Sequence, residues 1–219
     1  EYVQLRRFMT NWVKADRIGQ RERWRREAIQ DFLLIMFNSG QREHELFKRD
    51  EKTKVMRGLR WKDVEFFTSK GGSELAELYV EGKTGSRYMV PLRAVRFVLE
   101  RRKLRCPNAG PDDYVMALPD GTLFNTFDSG VGGVLTLAGL RKDPKSGRNR
   151  GIYSCRHSYA TRQVQDERNV QELADNMGTS VAMLNRSYFH FDARAAADRL
   201  AGETKSERAS VDKALLRKK

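Results

Sequence analysis

Residues 151–192 read GIYSCRHSYATRQVQDERNVQELADNMGTSVAMLNRSYFHFD. Apolar positions recur at helical spacing in three short segments, about 154–166, 169–176 and 180–188. A Met-Gly-Thr-Ser turn at 177–180 joins the last two. Arg156 sits near the start of the first segment, beside His157, and Tyr188 ends the last, followed by Phe189 and His190. An arginine grips a phosphate through paired N–H···O bonds. A tyrosine attacks one when its site favours the phenolate or takes the phenol proton, which ordinarily leaves near pH 10. The remainder of the chain has to supply a second cation, a proton donor and a grip on the substrate.

The bulk composition fits a polyanionic substrate. The 219 residues carry a formal charge of +13, and the isoelectric point is about 10.0. So basic a chain is the electrostatic footprint of a polyanion binder. Hydrophobic residues make up 39%, enough to build a core. No run of about 18 apolar residues marks a membrane span, and the mixed, charged start EYVQLRRFMTNWVKADR is no secretory signal. Cys106 and Cys155 are too few and too far apart for a disulfide framework, which fits a reducing, intracellular setting. The lack of an initiator Met points to a fragment with a domain missing upstream.

Taken in order, the chain begins with a short helix or arm over 1–20, with Phe8 and Trp12 as its apolar anchors. Ile29, Phe32, Leu33, Met36 and Phe37 then fall at i, i+3, i+4, i+7 and i+8, one stripe of a helix over 21–39. Asn38-Ser39-Gly40 ends that helix, and a second starts over 41–47. Residues 48–60 are polar and basic and read as an exposed loop. Alternation predicts strands over 61–67, 74–80 and 87–92, with Lys83 at the tip of the second hairpin. Helices follow over 93–105 and 125–140, with a short strand over 114–118 between them. Residues 142–151 form a basic, flexible loop, and 192–200 form an Ala-rich helix. The fold class is mainly α with a small antiparallel β-sheet. Cys155 reads as a small core residue. His44, between Glu43 and Glu45, has no second ligand cluster, so no metal site is expected. Positive segments outside the central stretch, the 48–60 and 141–150 loops with Arg93, Arg96, Arg101, Arg102 and Lys103, are candidates for tracking a phosphate backbone.

Breaking a phosphodiester without a metal calls for neutralising the non-bridging oxygens, which two arginines can do, for a nucleophile, and for an acid at the leaving oxygen. The chain offers Arg42 in GQREHEL, Lys83 in GKTGSRYMVPL, Arg156 in YSCRHSYAT and Tyr188 in NMGTSVAMLNRSYFH. In this order the four boxes resemble the catalytic domain of the tyrosine recombinases, the phage-integrase family. The resemblance covers about residues 21–192. Two positions depart from the family pattern. Tyr153 stands three residues before the second arginine, and Thr179 after the glycine of the turn, where the family commonly has histidine and histidine or tryptophan. Both hydroxyls can donate to a phosphate oxygen.

The resemblance implies the integrase catalytic-domain fold over residues 21–201, with 1–20 an N-terminal arm or linker and 202–219 a basic tail docking in trans. It implies site-specific DNA recombination or integration through a 3′-phosphotyrosyl link. Tyr188 is then the nucleophile, Arg42 and Arg156 stabilise charge, and Lys83 protonates the 5′-oxygen. Tyr153, Thr179 and His157 are phosphate-site candidates, and Glu45 and His190 are supporting residues. No cofactor is implied. The expected partner is double-stranded DNA, bound by four protomers on two duplexes, in a cytoplasmic, nucleoid-associated setting of a phage or other mobile element. Two rivals stay open: a type IB topoisomerase, and a non-catalytic DNA-binding protein derived from a recombinase.

Overall fold

The computed structural model describes residues 1–49, 54–82, 85–123, 127–166 and 168–188. Among these residues, eight α-helices and five strands follow one another as α1 (Tyr2–Val13), α2 (Gln20–Ser39), α3 (Glu43–Leu46), β1 (Phe47–Arg49), β2 (Met56–Gly58), β3 (Val64–Thr68), β4 (Glu74–Gly82), β5 (Gly85–Met89), α4 (Ala94–Arg105), α5 (Phe127–Leu137), α6 (Ile152–Gln165), α7 (Val170–Met177) and α8 (Val181–Tyr188). The described residues are therefore mainly helical with small antiparallel sheets.

The second half of α2 is the axis of the core. Its apolar stripe, Phe32, Leu33 and Met36 with Ile29 and Phe37, is buried as the periodicity predicts. Its opposite side is buried too, because α1, α4, α5 and α6 all pack against it. Asp31 and Asn38 on that side are held by partners. Asp31 accepts from Arg101, Arg102 and Arg105 of α4, and Asn38 donates to the Tyr2 hydroxyl and the Leu34 carbonyl. Phe32 stacks on Phe127 of α5 at 4.3 Å between ring centroids. Within residues 1–20, α1 buries Leu5, Met9 and Val13, while Phe8 and Trp12 are partly buried against the core. A second apolar cluster ties α6, α7 and α8 together through Tyr159, Ala160, Leu173, Ala174, Met177 and Leu184.

Strands β3, β4 and β5 form one antiparallel sheet in sequence order, with Val64 opposite Leu78 and Val80 opposite Arg87. The pleat sends Ala76, Leu78, Val80 and Met89 into the core.

Several local expectations are corrected. The polar segment 48–60 contributes to a two-stranded ladder, Phe47 opposite Gly58 and Arg49 opposite Met56, with residues 50–53 outside the described set. Flanking Phe47 and Leu59 are buried and anchor it, which the polar run between them conceals. Gly58, at φ 153°, allows a close approach: a Cβ there would lie 2.5 Å from the Leu46 carbonyl oxygen. Residues 114–118 are not a strand. Only Tyr114 bridges, to Arg60, and the buried Arg102 guanidinium takes the Val115 and Ala117 carbonyls at 2.6 Å each. A side chain replaces the neighbouring strand. Residues 61–63 form a 3-10 turn before β3, and the helix expected over 41–47 is the single turn α3. Residues 142–150 form a folded turn, with Asp143 accepting the Ser146 and Lys145 N–H groups and Arg150. The Ser146 N–H and hydroxyl, with Arg150, bring the Asp143 carboxyl down to about 2. The helix expected over 192–200 and the tail lie outside the described residues, as does the 201/202 boundary. Among the described residues no helix is long and apolar enough to cross a membrane.

Candidate functional site

Helix α2 ends on Gly40, which takes the left-handed conformation at φ 64°. The chain turns there and presents Arg42 in an extended conformation at the N-cap of α3. Glu45 lies one turn on, its side chain wholly buried. One carboxylate oxygen, Oε2, accepts the Arg42 backbone N–H at 2.7 Å, and Oε1 accepts the Arg42 Nη1 at 3.0 Å. The other guanidinium nitrogen, Nη2, donates to the Gly178 carbonyl at 2.6 Å.

Arg156 approaches the same place from α6. It is 4% exposed, and its Nη1 donates to the Gly40 carbonyl at 2.6 Å and the Met177 carbonyl at 3.0 Å. A third arginine completes the group. Arg87 of β5 donates from Nε to the Asn176 carbonyl at 3.0 Å and from Nη2 to the Met177 carbonyl at 3.2 Å. It also forks onto Glu45, Nη1 to Oε1 at 2.9 Å and Nη2 to Oε2 at 3.0 Å.

The end of α7 explains why arginines collect here. The last carbonyls of a helix lack intrahelical partners and lie at the negative end of its dipole. Asn176, Met177 and Gly178 offer three such oxygens in a row, and Arg87, Arg156 and Arg42 take them from three different elements. Gly178 itself caps the helix at φ 62°. Three guanidinium groups meet at this helix end and one carboxylate, Glu45, pairs with two of them, which leaves a local excess of positive charge that favours an anion. Arg42 is the most open of the three, its side chain 27% exposed against 16% for Arg87. Burial alone would raise the Glu45 carboxyl. The hydrogen bonds from Arg87 and the Arg42 N–H, with both positive charges, outweigh it and hold the group below its ordinary value.

Of the sequence candidates, Arg42, Glu45, Arg156 and the turn carrying Thr179 are brought together. Thr179 is half-buried, its N–H on the Ala174 carbonyl at 2.9 Å. Tyr153 is 64% exposed in the first turn of α6 and meets the half-buried His157 edge to face at 4.5 Å. Burial, and then the charge of Arg156, push the His157 imidazole below its ordinary value. Tyr188 closes α8 in the backbone, and its side chain lies outside the described set. Lys83 and His190 also lie outside the described residues. The end of β4 that precedes Lys83 reaches the group: a Cβ on Gly82 would stand 3.0 Å from Glu45 Oε1 and 3.6 Å from Arg42 Nη1.

Sequence reasoning missed Arg87. The signal was present: strand alternation puts it on the same face as Met89 and opposite Val80, both buried. A cation on a core-facing position demands a buried acid. The α4 cations go the other way. Arg102 is buried and cannot track a backbone, and Arg96 is paired with Glu74 and Glu100. Cys155 is a buried core thiol, with its proton held well above the usual range by burial.

The sequence matches no protein-family model and no curated protein. Its structure is similar to solved ones. XerH site-specific recombinase, bound to difH substrate in a pre-cleavage complex, superposes with a TM-score of 0.57 at 20% identity over 90% of this chain and 51% of that one. The chain has the tyrosine-recombinase catalytic-domain fold. XerA recombinase gives 0.58 at 16% identity, over 90% of this chain and 61% of that one. A lambda integrase dimer bound to a COC′ core site gives 0.54 at 15%, over 87% and 59%. This chain thus spans between half and two thirds of the length of the recombinases it resembles.

Proposed function

We propose that the chain cuts and rejoins DNA strands in site-specific recombination or integration. The observation that carries this reading is the convergence of Arg42 and Arg156 on the Met177–Gly178 turn, which leads directly into the helix ending at Tyr188. Two guanidinium groups held on successive carbonyls make a seat for a phosphate, and a tyrosine lies one short helix away in sequence.

In the proposed step the Tyr188 oxygen, giving up its proton, bonds to the scissile phosphorus. The bond from phosphorus to the 5′-oxygen breaks, and Lys83 gives that oxygen a proton. Arg42 and Arg156 stabilise the charge that builds on the non-bridging oxygens. The Tyr153 and Thr179 hydroxyls are further donors to the same phosphate, and His157 and His190 shape the surroundings. The phosphotyrosyl bond retains the energy of the phosphodiester, so a 5′-hydroxyl from a second duplex reverses the step without ATP. The partners proposed with it are double-stranded DNA, three further protomers, and a DNA-binding domain preceding this chain.

A suicide duplex built on inverted repeats flanking the gene tests the reading. The wild-type chain is expected to form a covalent protein–DNA adduct that resists denaturation, and Tyr188→Phe to form none. Arg42→Ala and Arg156→Ala are each expected to slow adduct formation by about 10²–10³-fold. Salt-sensitive DNA binding with no adduct would instead identify a non-catalytic DNA-binding protein. Relaxation of supercoiled plasmid by a lone protomer would identify a topoisomerase.

A further inference from the structure

We infer that Arg87 is a positioning residue for strand cleavage, fixing the two groups that hold Arg42; the inference rests on the strand-transfer reading above. Arg42 has two anchors, the Glu45 carboxylate and the Gly178 carbonyl. Arg87 grips both. It forks onto both oxygens of Glu45, and it holds the Asn176 and Met177 carbonyls that immediately precede Gly178.

Four of the five N–H groups of a guanidinium are engaged by these bonds. Arg87 is thus committed to protein and has little left for a substrate, whereas Arg42 keeps more of its side chain open between its anchors. Removal of Arg87 leaves the buried Glu45 paired with Arg42 and frees the carboxylate to turn. The turn before α8 also loses two of its clamps.

The surroundings are shaped around this guanidinium. A Cβ on Gly178 would come within 2.6 Å of Arg87 Nη1 and 2.7 Å of its Cζ, so the absent side chain lets the planar group lie against the turn. Three residues after Arg87, just past the end of β5, the Val90 N–H donates to the Asn176 side chain at 2.8 Å, and that side chain donates back to the Val90 carbonyl at 3.1 Å. The strand that follows Lys83 is in this way fastened to the helix end that precedes Tyr188. A lysine would keep the charge but not the fork, because an ammonium has no planar pair of donors to match a carboxylate.

Single-turnover cleavage of the suicide duplex, measured beside DNA affinity and thermal melting, tests this with Arg87→Met, Arg87→Lys and Gly178→Ala. Arg87→Met is expected to cleave about 10²-fold more slowly, as for a catalytic group displaced by roughly 1 Å, with DNA affinity unchanged. Arg87→Lys should recover only part of that rate. Gly178→Ala, which disturbs the guanidinium from the other side, should give a loss of the same kind. In an Arg42→Lys background the further loss from Arg87→Met should shrink to less than about threefold, because both act through one group. Equal cleavage by Arg87→Met and wild type overturns the inference and leaves the proposed function standing. So does a loss that is entirely one of DNA affinity, or one fully additive with Arg42→Lys. A wild-type chain that forms no adduct overturns the proposed function, and this inference with it.

Discussion

At the scale of single residues, Glu45 is the acid on which Arg42 and Arg87 meet. It is an acid with no exposed surface, compensated by Arg42 and Arg87 and by a backbone N–H. Its native carboxyl titrates below the ordinary value against the pull of burial. The sign of the linkage follows: a carboxyl depressed in the folded state contributes stability that is complete above its unfolded value. That contribution is lost as the pH falls through the lower native value. Glu45→Gln removes the titration and leaves two arginines facing a neutral amide. It is expected to cost about 2 kcal/mol at neutral pH, below the usual figure for a broken buried pair because both arginines keep some solvent. Urea denaturation of both proteins from neutral to acid pH reads this directly. The gap between them should close as the pH falls, and a gap independent of pH would show that the carboxylate charge does not contribute.

At the scale of elements, the same device recurs between α2 and α4. Asp31, fully buried, receives Arg101, Arg102 and Arg105 from one face of α4. Arg102 then reaches past it to the carbonyls of Val115 and Ala117, so one acid fastens a helix to a helix and a helix to a loop. Asp31→Ala is expected to destabilise the protein by about 3–5 kcal/mol, because it strands a buried guanidinium. Arg93→Ala, on the exposed start of α4, should cost little, and paired urea melts would show the difference. These cross-element bonds mark the limit of what the sequence reveals. Helices α2, α4, α6, α7 and α8 are legible because apolar residues recur at helical spacing within one segment. The β3–β4–β5 sheet is legible because alternation is equally local. The burial of α2 on both sides is not, since it depends on Asp31 meeting residues seventy or more positions away. Likewise the box order brings Arg42 and Arg156 to notice, but not the three carbonyls at the end of α7 on which they meet. Alternation along β5 marks Arg87 as a cation on a core-facing position, but its partner, Glu45, lies on another element, and one strand read alone does not name it.

At the scale of the whole molecule, a formal charge of +13 does not mean thirteen cations available to DNA. Arg102 and Arg156 are buried, and Arg87 and Arg96 are engaged by acids of the protein itself. The folded turn at 142–150 is different: Lys145 and Arg148 are exposed on it, while Arg150 and Asp143 pair to hold its shape. On the strand-exchange reading, affinity for duplex DNA should come from cations of the second kind. Each phosphate neutralised releases condensed counterions, so the logarithm of affinity falls against the logarithm of salt with a slope of about −0.9 per contact. Replacing Arg148 with Ala should therefore make the slope shallower by roughly one contact, and Lys145→Ala should do the same. Arg96→Gln should leave the slope unchanged, because that guanidinium already faces Glu74 and Glu100. Titrations of a duplex between about 50 and 200 mM salt suffice, since six to ten contacts change affinity by roughly 10³–10⁵ over that range. Three equal slopes would mean that the 142–150 turn faces away from DNA. The excess charge would then act through the 48–60 segment and the arginine group around Glu45.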